Sequence, residues 1–227
     1  MNSNKWLISA AALIALSAPA AFAQSQTTQT TTTPSTQTST PSSTPSNTPS
    51  TTSTPNKPTI QQRKDNQQDR IANGVQSGQL TAGETKNLEN KEAGINKEEH
   101  TMRSDDDGHL TQADRTKLNN QQNKLSNQIY QDKHNANTAH YGNNEVGQRR
   151  ENQQDRIAQG IRSGKLSPSQ TAKLENQQQG INKEVSGMRQ ANGGKLTNAD
   201  KKAVNQQQNA ASKNIYNKKH SGAKTQK

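Results

Sequence analysis

The feature that most constrains this chain is that it repeats itself. QRKDNQQDRIANGVQSGQL, from Gln62, returns as QRRENQQDRIAQGIRSGKL from Gln148. The match continues without a gap through GINKE, MR, LT-x-AD, QQN and IY to His134 and His220, at an offset of about 86 residues and with about half the positions identical. Ungapped identity of that extent indicates duplication of one folding unit, so any fold for the first copy must also suit the second. Each copy divides again: SGQLTAGETKNLENKEAGI from Ser77 is similar to DGHLTQADRTKLNNQQNKL from Asp107. The result is four G-x-L-[ST] loops, at Gly78, Gly108, Gly164 and Gly194.

Between the loops, apolar residues fall at helical spacing. Ile71 and Val75 lie four apart, Leu88, Ile95 and Met102 recur every seven residues, and Leu118, Leu125 and Ile129 continue the pattern. The second copy answers with Ile157, Ile161, Leu174, Ile181 and Met188, and puts Ala211 where the first has a leucine. This spacing predicts helices near 61–76, 82–103 and 112–134, with equivalents in the second copy. The helix starts are well marked. Thr81-x-x-Glu84 and Ser167-Pro168-Ser169-Gln170 are capping boxes, and Thr111 with Asp114 and Thr197 with Asp200 are close variants. Hydrophobic residues make up only 24% of the chain. One narrow apolar stripe per helix suits a small bundle or coiled pairing of low stability, with Gln, Asn and charge on the remaining faces. The expected class is all-α: two tandem copies of a three-helix module.

Residues 1–23 read as a secretory signal peptide. Lys5 precedes an apolar run containing Leu7, Ile8, Leu13, Ile14 and Leu16, Pro19 ends it, and Ala21-Phe22-Ala23 is a cleavage pattern. The run is shorter than the ~20 apolar residues that span a bilayer, so no transmembrane segment is expected after cleavage. An exported protein, periplasmic or extracellular in a bacterium, is the expectation. There is no cysteine, hence neither a disulfide nor a lipidated cysteine. Residues 24–58 are Thr, Ser, Gln and Pro almost throughout, a composition that predicts a disordered spacer serving either as a stalk or as a solubilising leader. The boundaries then fall at 59–138 for the first repeat, 139–147 for an Asn- and Gly-containing linker, and 148–227 for the second repeat with its basic tail.

Helix, Gly-x-Leu-[Thr/Ser] loop, acid and helix together resemble the EF-hand. In that family the loop has glycine at position six, an apolar residue at eight and oxygen ligands at one, three, five and twelve. Gly78, Gly108, Gly164 and Gly194 match position six, Leu80, Leu110, Leu166 and Leu196 match eight, and Glu84, Asp114, Gln170 and Asp200 match twelve. The ligand positions mostly depart from the family, with Val75, Ile161 or Ala191 at three. Only RSDDDGHLTQAD supplies carboxylates, Asp105 and Asp107, with Asp114 at the end and Arg103 in place of the first acid. The resemblance implies paired helix-loop-helix units with Leu80 and Leu110 side by side. It also implies one weak site for a divalent cation such as calcium at Asp105, Asp107 and Asp114. A turn glycine followed by a capping box accounts for the same residues without a metal.

The charge is unevenly shared. Residues 62–138 hold eleven Lys/Arg against twelve Asp/Glu, whereas 148–227 hold sixteen against five. The second copy replaces the Asp triplet by Ala191, Asn192 and Gly193, and it carries Arg149, Arg150, Arg162, Lys165, Lys201, Lys202, Lys218 and Lys219. These eight are candidate contacts for a polyanion such as lipopolysaccharide or acidic polysaccharide; the alternative is a solvated basic surface. Specific nucleic-acid reading is not expected, because Tyr130 and Tyr216 are too few to form a stacking platform. No nucleophile elbow, phosphate loop or H-E-x-x-H is present, and the carboxylates read as surface groups, so a non-enzymatic protein is expected.

Overall fold

A computed structural model describes residues 57–221, and all regular structure among them is helical. The first copy forms α1 (Ile60–Gln76), α2 (Ala82–Asp105) and α3 (Gln112–Lys133); the second forms α4 (Glu145–Arg162), α5 (Pro168–Ala191) and α6 (Asn198–His220). The stretch read as a signal peptide, nearly all of that read as a spacer, and the last residues of the chain lie outside the described residues.

Local chemistry sets the boundaries. At the start of α2 the Thr81 hydroxyl accepts from the Glu84 amide at 3.3 Å while the Glu84 carboxylate accepts from the Thr81 amide at 2.9 Å. Reciprocal boxes also open α3, α5 and α6, and Thr59 with Gln62 makes one at α1 that the sequence reading did not include. The linker ends earlier than expected. Asn144 caps α4 by accepting from the Gly147 amide at 3.0 Å, so the helix begins inside the stretch read as connector. The four loop glycines have φ of +70°, +88°, +64° and +87°, left-handed values that admit glycine at little steric cost.

The packing departs from paired loops within a copy. Loops one and two sit at opposite ends of α2, whose 24 residues make a rod about 36 Å long. Leu80 and Leu110 are therefore both buried but not side by side. The pairing runs between copies: α1 packs on α4 and α2 on α5, while α3 and α6 touch only helices of their own copy. Arg162 reaches Asn73 and Gln76 at 2.6 and 2.9 Å, and Lys86 reaches Gln179 at 2.9 Å, across that junction. One apolar cluster consequently contains Ile71, Val75, Leu80, Leu88, Leu118 and Ile129 from the first copy with Ile157, Ile161, Leu166, Leu174 and Ile215 from the second. Val146, Ile181, Val185, Val204 and Ala211 form a smaller cluster in the second copy alone.

Glutamines expected on outer faces are inside. Gln67 donates to the Gln122 carbonyl and the Ser126 hydroxyl, each at 2.7 Å, and Gln122 donates to the Ile60 carbonyl at 3.1 Å. Gln153, Ser212 and Gln208 repeat the arrangement, with Val146 in the place of Ile60. Where the apolar stripe is too narrow to fill the space between three helices, amides bonded to backbone carbonyls complete it.

Candidate functional site

The eight basic residues of the second copy take up different positions. Arg149 is structural: it donates to Asn205 at 3.2 Å and also to Asn209, as Arg63 does to Asn119 and Asn123 in the first copy. Arg162 is occupied at the junction between copies. Lys201 and Lys202 are exposed at the start of α6, while Lys218 and Lys219 are half-buried at its other end. The eight thus do not form one patch.

A tighter group does form where α4 and α6 end. Lys219 donates to the Arg156 carbonyl at 3.1 Å. Burial holds its ammonium below the usual lysine range, and the charges of Arg156 and Lys165 push the same way. Lys165 is exposed, and its counterpart in the first copy is Gln79. Arg156, whose counterpart in the first copy is Arg70, is not among the eight, and no charge difference between the copies points to it.

Arg150 lies apart from both groups. Its guanidinium stands over the Tyr141 ring, 5.4 Å from the centroid, and its Nε is buried without a hydrogen-bond partner. Burial depresses its proton affinity, against the attraction of Tyr141, and the charge of Arg189 depresses it further. Burial in turn raises the Tyr141 hydroxyl well above the usual tyrosine range.

The expected cation loop does not gather its carboxylates around one point. Among the described residues no three His, Cys, Asp or Glu side chains are placed to hold one together. Asp114 is committed to its cap, accepting from the Thr111 amide at 3.0 Å and hydroxyl at 2.5 Å. Arg103 points its guanidinium to the Gly108 carbonyl at 3.2 Å, laying a positive charge across the loop. Asp105 ends α2, and Asp107 adopts φ +51° in the turn. A cap and a turn use the residues that a metal would need.

Buried carboxyl groups are what the sequence reading missed. Glu89, Glu92 and Glu175 are fully buried. Glu89 and Glu175 occupy equivalent positions, accepting from Gln68 at 3.2 Å and Gln154 at 3.0 Å. Burial raises Glu89 well above the glutamate range, and it lifts Glu175 to about 8 and Glu92 to about 7. No family model matches the chain, and no curated protein or solved structure resembles it at a significant level.

Proposed function

We propose that this is an exported, non-enzymatic helical repeat protein whose basic second copy binds anionic polymers of an envelope or matrix, such as lipopolysaccharide or acidic polysaccharide. The supporting observation is the divergence in charge between two copies of one scaffold: near balance in 62–138, a large basic excess in 148–227. The convergence of Lys165 on Arg156 and Lys219 concentrates that excess at one end of the second copy. No helix among the described residues is long and apolar enough to cross a membrane, which fits a module presented to polymers from outside a bilayer.

The test uses the intact chain, because the copies share a core. Its retention on immobilised heparin should fall steeply as sodium chloride rises. Lys165→Gln with Lys218→Gln removes two cations from the α4–α6 end and should flatten the logarithmic salt dependence by about one to two charges. Lys117→Gln with Lys124→Gln removes two from the first copy and should leave retention nearly unchanged. Equal losses from the two pairs would refute the asymmetry on which the reading rests.

A further inference from the structure

The two copies differ at one position in a way that leaves a charge site without its occupant. In the first copy Glu99, on α2, is held by two cations. Lys64 from α1 donates to one oxygen at 2.9 Å, and Arg103, one turn along α2, donates to the other through Nε at 3.1 Å and Nη2 at 3.0 Å. At the equivalent positions the second copy keeps both cations, as Arg150 on α4 and Arg189 on α5, but puts Val185 in place of the glutamate. Val185 is 2% exposed and sits in the small apolar cluster. Its side chain is shorter than that of Glu99 and carries no carboxylate to lie between the arginines.

The space that remains is an open cleft of about 450 Å³ lined by Arg150, Asn182, Val185 and Arg189. Among the described residues no carboxylate forms an ion pair with either arginine. The buried Nε of Arg150 has no partner, although a buried guanidinium donor is costly to leave unmatched. Arg150 and Arg189 line the same cleft, which places both guanidinium-bearing side chains on one opening.

We propose that this cleft binds the carboxylate group of an exogenous ligand, which takes the place that the Glu99 side chain fills in the first copy. Arg189 supplies the planar fork for a two-point contact and Arg150 the second cation, while Val185 forms an apolar floor. The cleft goes beyond the polymer reading and stands without it, since a small organic acid needs only the two arginines.

Acetate is the probe, titrated at fixed ionic strength with chloride as the balancing anion and followed by NMR on the arginine Nε–H resonances. One site is expected, marked by the signals of Arg150 and Arg189. Val185→Glu supplies an internal carboxylate and should weaken acetate binding by about tenfold or more, with helicity retained. Glu99→Val should do the reverse, opening a second site that moves the Arg103 signal. Arg189→Gln provides a check that adds no buried acid and should also abolish the shift at Arg150. Acetate binding that survives Val185→Glu, or a response matched by sulfate at equal ionic strength, would overturn the carboxylate assignment. Absence of any shift in the native chain would overturn the site. None of these readouts depends on retention by heparin.

Discussion

At the scale of single residues, the glycines separate into those that space requires and those it does not. Gly74 and Gly160 occupy the last turns of α1 and α4, where Leu80 and Leu166 fold back over the helix. A Cβ at Gly74 would stand 2.7 Å from the Leu80 side chain, and one at Gly160 would stand 2.5 Å from Leu166. The leucines cannot retreat easily, because each backbone amide is tied to the same glycine's carbonyl at 3.0 Å. Gly74→Ala should therefore destabilise by roughly 1–2 kcal/mol, overpacking outweighing the better helix propensity of alanine. Gly94 is exposed in mid-helix with nothing near its missing Cβ. Gly94→Ala should stabilise by about 0.5–1 kcal/mol, and urea denaturation of both variants checks the contrast. The turn glycines were legible from their place ahead of the caps. The buried polar residues were not, although they carried a signal. Gln122 falls between Leu118 and Leu125, and Glu92 and Glu99 alternate with Leu88, Ile95 and Met102, so these polar side chains stand on the apolar stripe itself. Counting only apolar residues hides such positions, and burial follows the face of the helix rather than the polarity of the residue.

At the scale of the element, α2 is distinguished by the acids it buries. Its boundaries and capping box were readable from Thr81, Glu84 and the Asp triplet, but its neighbour across the copies was not, since periodicity identifies a face and leaves the partner open. Glu92 shows the consequence. It is faced by Lys64 and Asp65 of α1 and by Glu99 of its own helix, and desolvation outweighs the lysine's attraction. Both Glu92 oxygens and the Gln67 Oε1 are buried without partners. In the second copy Gln178 stands at the Glu92 position and donates to the Gln153 Oε1 at 3.0 Å. Because the folded-state value of about 7 exceeds the ordinary 4.5, the folded chain holds a proton that the unfolded chain releases sooner. The stability tied to the neutral form is complete below about 4.5 and is lost as pH rises through 7. Glu175, lifted to about 8, adds to the same slope. Thermal stability should thus decline from mildly acidic to alkaline pH. Glu92→Gln should raise stability at pH 8 by on the order of 2–3 kcal/mol with little effect near pH 4.5, as read by melting across that range. Equal gains at both pH values would mean that the effect is packing rather than ionisation.

At the scale of the whole molecule, duplication explains why so polar a chain folds. A single copy has three helices and one narrow stripe; joined, the copies bury a common cluster to which each contributes. The repeat was plain in the sequence, whereas the use of one copy as the other's partner was not, because an ungapped repeat fits beads on a string and a fused pair equally well. The contact has a particular symmetry: α1 meets its counterpart α4 and α2 meets its counterpart α5. Like faces like, as in an isologous dimer whose two subunits have been joined in one chain. A separated copy would expose Leu88 and Leu80, or Leu174 and Leu166, residues that are almost wholly buried in the intact chain. A fragment spanning 57–140 or 141–221 should therefore lose helicity at low micromolar concentration. It should regain helicity as concentration rises, through self-association that reproduces the α1–α4 and α2–α5 contacts. Circular dichroism over a hundredfold range of concentration, with sedimentation at the same points, follows both quantities. The 57–140 fragment should be the weaker dimer above neutral pH, because self-pairing duplicates Glu92, whereas 141–221 has Gln178 at that position. Helicity that is independent of concentration in a monomeric fragment would show that each copy folds alone and that the shared core is dispensable.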